Sequence, residues 1–360
     1  MMSLSKRKED AYFAASNSAD GFFSYYPQCF DDRRIGHVYA IKGGPGTGKS
    51  RFMRDVADAG EACGWQAEYV YCSSDPNSLD GVILTLGKRS IALLDATAPH
   101  VYEPRTPGAR EELVDLGAFW NAEQLGDRIE KIEAINREKR AAYRRAYRYL
   151  AAAGEMARMH GELAYPYLRI TAIEAMAERL TRDFSFGSGY RMQPALIGSI
   201  GMRGEVRLDS YFTRATQFFR IEDCHGAAQY LLDALGKIAV QKRLAVRLSH
   251  DPLLPESLDG IFFCDSGIAF AVGDRRTWQN PHRVIGMRRF VQTARMKPIR
   301  GSLVYTARMR RAMLGGAIEE LARVRESHFL LEEIYADAMD FSQKEAFTKK
   351  FCERLFSLQI

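Results

Sequence analysis

The sequence predicts an α/β fold of two parallel-sheet units, each followed by a helical region. Three observations lead there. Over the first hundred residues, short apolar runs alternate with helical spacing. From about residue 110 to 182 the strand signals stop, and Ala, Glu, Arg and Leu dominate. Beyond residue 195 the plan of the first hundred residues returns in the same order.

The elements follow from the pattern. "HVYAI" (37–41) is a short β-type run ending in a glycine-rich turn. "KSRFMRDVADAGEACG" then carries helical spacing through Phe52, Met53, Val56 and Ala57, with Gly60 and Gly64 closing it. "AEYVYCSS" (67–74) reads as a second strand. Asp75 and Pro76 after it suit the start of a helix, because proline is tolerated at the first helical position; Asp80 and Gly81 would then lie inside that helix. "SIALLDATAP" (90–99) is a third strand, a continuous apolar run of the kind buried in parallel sheets. Strands and helices alternating at this tempo predict a parallel sheet.

The segment 121–182 is expected to form long helices in an antiparallel hairpin, interrupted near Pro166. "DFSFGSGYRMQP" (183–194) is rich in Gly and Ser and reads as a linker. The expected divisions are therefore residues 1–120, 121–182, 183–195, 196–310 and a helical 311–360.

Beyond the linker, "TQFFRI" (216–221) stands where "HVYAI" stood, and "YLLDAL" (230–235) where "FMRDVA" stood. "RLAVRLSHDP" (243–252) aligns with "AEYVYCSSDP", and "GIAFAV" (267–272) with "SIALLD". The echo of "DPNSLDGV" (75–82) in "DPLLPESLDGI" (251–261) carries most weight. Two homologous halves are expected.

The chemistry concentrates in "GGPGTGKS", residues 43–50. It fits G-x-x-x-x-G-K-[ST] after a strand and before a helix, the context that this phosphate-binding loop (P-loop, Walker A) requires. Gly43, Gly44, Pro45, Gly46, Thr47 and Gly48 would let backbone N–H groups converge on phosphate oxygens. The helix N-terminus adds partial positive charge. Lys49 would reach the β- and γ-phosphates, and the Ser50 hydroxyl would ligate Mg²⁺. Asp95, closing an apolar strand, is the expected second element of such a site and a Mg²⁺ ligand, directly or through water. Asp75 is a candidate general base or outer Mg²⁺ ligand, the alternative being a helix N-cap. His100 is a candidate γ-phosphate sensor or proton carrier. Glu103, Glu111 and Glu112 are later carboxylates within possible reach. Asp95 is followed by Ala96 and Thr97, so the glutamate that polarises water in many ATPases is missing there. No N-K-x-D guanine signature is present, which favours ATP over GTP.

The second half lacks this machinery. Residues 221–229 read "IEDCHGAAQ", with one glycine, no lysine, and Glu222 and Asp223 where phosphates would need donors. Val272 stands at the position of Asp95, although Asp274 is close. A degenerate copy is expected.

Composition narrows the rest. The 360 residues are 46% hydrophobic and 27% charged, as in globular proteins, and no apolar run approaches a membrane span of about 20 residues. "MMSLSKRKEDAYF" becomes charged at once and shows no signal-peptide core, so a cytoplasmic protein with no membrane partner is expected. The six cysteines are scattered without a C-x-x-C pair, which argues against a zinc ribbon or disulfide framework. A net charge of +6 attracts phosphorylated ligands or nucleic acid without choosing between them. "KRAAYRRAYRYL" (139–150) could contact nucleic acid or bring an arginine to the γ-phosphate, and a similar basic stretch, "TARMRR", occurs at 306–311.

Residues Lys42–Ser50, "CSSDPNSLDG" (72–81), "TAPH" (97–100), "PGA" (107–109) and "LG" (116–117) together resemble a family of bacterial cytoplasmic proteins described as tandem P-loop ATPase-like. The resemblance implies two P-loop NTPase-like units and nucleotide binding in the first. Both halves of that family can carry the loop, and this chain departs by having lost the second. The expected activity is that of a Mg-ATP-binding hydrolase, a slow or partner-regulated ATPase. A kinase acting on a small-molecule or nucleotide acceptor is one alternative, and a non-catalytic ATP-dependent switch is another.

Overall fold

A computed structural model describes residues 10–31, 34–98, 102–185, 187 and 189–356. The first half runs β1 (Asp10–Phe13), β2 (Ala15–Ser18), β3 (Gly21–Ser24), α1 (Tyr26–Cys29), β4 (His37–Lys42), α2 (Lys49–Ala62), β5 (Gln66–Tyr71), β6 (Leu79–Leu86), β7 (Arg89–Asp95) and β8 (Glu111–Asp115). The helices α3 (Ala122–Gly126), α4 (Ile129–Ala164) and α5 (Ile170–Leu180) follow. The second half repeats the order with β9 (Arg191–Pro194), β10 (Gly198–Gly201), β11 (Gly204–Arg207), α6 (Ser210–Arg214), β12 (Gln217–Glu222), α7 (Ala227–Gln241), β13 (Ala245–His250), β14 (Leu258–Phe263), β15 (Ile268–Val272) and β16 (Arg283–Gly286). It ends in α8 (Arg300–Asp337) and α9 (Phe341–Phe356).

Each half forms a six-stranded sheet, β1-β5-β6-β7-β4-β8 and its equivalent β9-β13-β14-β15-β12-β16. The α/β class and the helical region after each sheet hold, but the sheets are mixed rather than parallel. β6 runs antiparallel to both its neighbours, and so does β14. The expected helix after Asp75 is not formed. Asp75 accepts the N–H of Asn77 in a tight turn, and Leu79–Leu86 is a strand, so Asp80 and Gly81 lie in β6. Gly87, at φ +59°, and Lys88 then make the two-residue turn into β7. A strand is the better local answer for "LDGVILTL". Its Val82 and Ile83 favour extended backbone, and a Cβ on Gly81 would collide with the Phe30 ring.

The repeat is real in the backbone, with one shift from the sequence alignment. Cys72 N donates to Ser78 O at 2.9 Å, and Asp251 N donates to Ser257 O at 2.9 Å. Asp251 is thus the counterpart of Cys72, while Pro255 answers Pro76 and Asp259 answers Asp80. The Asp-Pro echo is out of register; Ser-Leu-Asp-Gly is the true anchor.

The segment 183–195, expected to be a linker, contains the edge strand β9, which pairs with β13. The hairpin expected over 121–182 is replaced by one 36-residue helix, α4, about 54 Å long at 1.5 Å per residue. Its antiparallel partner is α8 of the other half, so that Arg128 meets Asp337, Arg145 meets Glu320, and His160 meets Thr306. Ala142, Ala146, Ala153 and Gly154 line the buried side of α4, and Leu314, Ala317, Leu321 and Val324 that of α8. Tyr149 packs so close to Gly316 that a Cβ there would lie 2.8 Å from its ring.

The shorter helices are exchanged. α5 ends the first half yet packs on α7 of the second, through Ile173, Met176 and Ala177. α9 ends the second half yet packs on α2 of the first, where Phe351 meets Phe52 at 5.1 Å and Tyr39 at 5.0 Å between ring centroids. Phe351→Ala should therefore destabilise the first half by about 3–5 kcal/mol. Denaturant unfolding monitored on the whole chain checks this.

Candidate functional site

The loop between β4 and α2 sits at the C-terminal edge of the first sheet. β4 pairs in parallel with β7, and Ile41 lies opposite Asp95, so the loop and that carboxylate emerge together. Gly43, Gly46 and Gly48 have φ of 154°, 73° and 76°, conformations that a side chain resists. Gly48 is the left-handed N-cap of α2. Among the described residues, none accepts a hydrogen bond from the backbone N–H of Gly44, Gly46, Thr47 or Gly48. These donors converge beside a 14-residue helix's N-terminus, the arrangement that receives an anion.

Lys49 folds back onto the loop, donating to the carbonyls of Gly43 and Gly44 at 2.8 Å each, with Asp95 Oδ2 at 3.5 Å. Thr97 closes the ring. Its N–H donates to Asp95 Oδ1 at 2.8 Å and its hydroxyl to the Gly43 carbonyl at 2.9 Å. Ser50 Oγ accepts the N–H of Leu79 at 2.9 Å, which ties the start of β6 to the loop. Burial raises the pKa of Asp95; the Lys49 ammonium counters this, and the neighbouring Asp80 carboxylate adds to it.

Ser50, Asp95 and Asp80 are oxygen donors of the hard type that Mg²⁺ prefers. Among the described residues, no group of three or more His, Cys, Asp or Glu could hold a metal alone. A cation here would take the rest of its shell from phosphate oxygens and water. The residues fit that role.

Of the other sequence candidates, Asp75 lies in the turn beside Ser50's partner strand, but Arg203 of the β10–β11 hairpin holds it at 2.7 Å. That pairing makes Asp75 a fastening between the halves. His100 lies outside the described residues. Glu111 pairs with Val38, towards the start of β4 and away from the loop, and is bound by Thr106. Glu112 is engaged by Arg354, and Glu103 is exposed.

Sequence reasoning missed the roof of the site, because it arrives from the far end of the chain. A Cβ on Gly46 would lie 2.5 Å from the Glu332 carbonyl of α8. Trp120 and Tyr335 cover Gly44, and Phe341 and the buried Lys344 of α9 lie over Gly48. Burial lowers the pKa of Lys344, and Asp55 opposes that shift. No local pattern announced these contacts.

The second half shows what an excluded phosphate looks like. Gly226 is again a left-handed N-cap, at φ 81°, and Ala227 and Ala228 replace Lys49 and Ser50. Asp223 Oδ2 accepts the N–H of Gly226 at 2.9 Å, and its Oδ1 accepts that of Ala228 at 2.8 Å. The chain's own carboxylate thus occupies the helix N-terminus of the second half. Val272 stands opposite Ile221, as Asp95 does opposite Ile41. Asp259, the counterpart of Asp80, is neutralised by Arg207 at 2.8 Å.

The tyrosines of "KRAAYRRAYRYL" are not a stacking platform. Tyr143 and Tyr147 stack on one another, and Tyr147 donates to Asn17 at 2.8 Å. No helix among the described residues is long and apolar enough to cross a membrane. No family model matches the chain, and neither a curated protein nor a solved structure matches it. Fold and site define an α/β protein of two mixed six-stranded sheets, one with a glycine loop at a helix N-terminus.

Because burial raises the pKa of Asp95 above its unfolded value, its ionised form weakens the fold at neutral pH. That deficit disappears as pH falls through the folded-state pKa. Asp95→Asn should thus raise the unfolding temperature of the ligand-free protein at pH 7, and the gain should shrink as pH falls through the folded-state pKa. Thermal scans at a series of pH values check this.

Proposed function

We propose that the first half binds Mg-ATP as a P-loop NTPase and hydrolyses it slowly, under control of the helices that roof the loop. One contrast carries the reading. Among the described residues, the backbone N–H groups of the first half's loop have no acceptor, while Asp223 takes the N–H groups of Gly226 and Ala228 in the second half. In this reading the loop N–H groups and Lys49 hold the β- and γ-phosphates. Ser50 and Asp95 hold Mg²⁺, which supplies charge neutralisation between phosphate oxygens. Asp80 lies close enough to Asp95 to raise its pKa and would orient water in the metal's outer shell.

The slow rate follows from what replaces the usual water-polarising carboxylate. Thr97 stands near that position, and its hydroxyl is committed to the Gly43 carbonyl. The roof formed by Glu332, Tyr335, Phe341 and Lys344 supports regulation, because nucleotide entry requires α8 and α9 to give way. A partner acting on those helices would set the turnover.

Lys49→Ala is expected to abolish ATP binding, whereas Asp223→Ala should leave it unchanged and cost about 1 kcal/mol of stability as a lost helix cap. Nucleotide titration with product analysis, with and without added metabolites, checks both the site and the reaction. Phosphate release without an acceptor supports hydrolysis, and acceptor-dependent ADP formation would favour a kinase. Binding without turnover would leave a switch. Unaltered ATP titration of the Lys49 variant would overturn the site.

A further inference from the structure

The α4–α8 pair reaches the glycine loop at one end and the degenerate loop at the other, so its two ends can be compared. At the second, His160 Nδ1 lies 2.8 Å from the hydroxyl of buried Thr306, and His160 Nε2 lies 3.0 Å from His225 of the degenerate loop. At the first, His328 on α8 faces Lys139 on α4. Their Nζ and Nδ1 atoms are 3.2 Å apart.

We propose that Lys139, positioned by His328, binds the terminal phosphate of the nucleotide held by the glycine loop and so lets the helix pair distinguish a triphosphate from a diphosphate. The proposal rests on the P-loop reading above and adds to it a group that the loop itself does not supply.

Three observations support it. One turn beyond His328, the Glu332 carbonyl presses against Gly46, so this stretch of α8 is already in contact with the loop. His328 is held ready to orient the lysine. Its Nδ1 lies 3.2 Å from Lys139 Nζ and its Nε2 lies 3.4 Å from Glu332 Oε1, so the ring is held between the two. Among the described residues the remaining N–H bonds of Lys139 have no acceptor. Its surroundings also call for an anion. Burial lowers its pKa, Glu332 and Cys72 counter this, and the Lys49 ammonium lowers it further, so two cations share one partly buried region. A phosphoryl group between them would relieve that repulsion, as a cation supplied to the γ-phosphate does in phosphoryl transfer.

The test is equilibrium titration of the full chain with Mg-ATP and Mg-ADP. It compares the parent with Lys139→Met, Lys139→Arg and Thr306→Val, with thermal unfolding recorded for each. The parent should prefer ATP. Lys139→Met should keep its ADP affinity within about twofold and lose at least roughly tenfold for ATP, the least expected from one charge-assisted bond. Lys139→Arg, which keeps the charge, should recover part of the ATP preference, and Thr306→Val should alter neither affinity. Unchanged ATP affinity in folded Lys139→Met would overturn the proposal, as would equal losses for ATP and ADP, the mark of a merely structural lysine. A parent that binds neither nucleotide would instead overturn the P-loop reading itself.

Discussion

The antiparallel packing of α4 against α8 ties the two halves together, because each helix leaves one sheet and arrives at the loop of the other. Small side chains along the seam, Ala142, Ala146 and Ala153 on one helix and Gly316 and Ala317 on the other, let two helices of 36 and 38 residues approach closely over their length. Once that register is set, the remaining helices have little choice. α4 delivers α5 to the second half, and α8 delivers α9 to the first, where their apolar faces cover α7 and α2. Neither half has its full set of covering helices without the other.

A second layer of the interface is electrostatic and shows how a duplicated unit can fit its own copy. Glu68 on β5 and Arg247 on β13 occupy equivalent positions and carry opposite charges, 3.3 Å apart. Asp10 on β1 also pairs with Arg247, and Arg34 with Glu68. These groups are largely buried, so removing one would strand its partners' charges in a dry environment. The hairpin tips are exchanged in the same sense: Met202 N donates to Ser74 O at 2.8 Å, and Ala19 N donates to Leu253 O at 3.0 Å. Asp75 belongs to this set through Arg203. Its place after the second strand suggested catalysis; in the structure it also fastens one half to the other.

The same duplication accounts for the asymmetry of the loops. Both halves keep a β-strand, a left-handed glycine and a helix N-terminus. One half places Asp223 there, which satisfies the helix internally and permanently. In the other, among the described residues, the N–H groups of Gly44, Gly46, Thr47 and Gly48 have no acceptor, and Lys49 and Lys344 lie beside them.

Sequence by itself determined the α/β class, the duplication, the glycine loop with Lys49 and Ser50, the pairing of that loop with Asp95, and the loss of the equivalent parts in the second half. These are local properties: they depend on φ freedom, apolar runs and residues within one strand–turn–helix unit. Strand β6 was missed because "DPNSLDG" satisfies helix-start rules as well as turn rules, and the tie is broken by Ser50 and Phe30, distant in sequence. Only the tertiary structure decided that α4 pairs with α8, that α5 and α9 exchange, and that Glu332, Tyr335 and Lys344 reach the loop. Helical periodicity states which face of a helix must be buried, but an apolar stripe fits many partners. The choice among them is made by close packing and charge complementarity between segments separated by most of the chain.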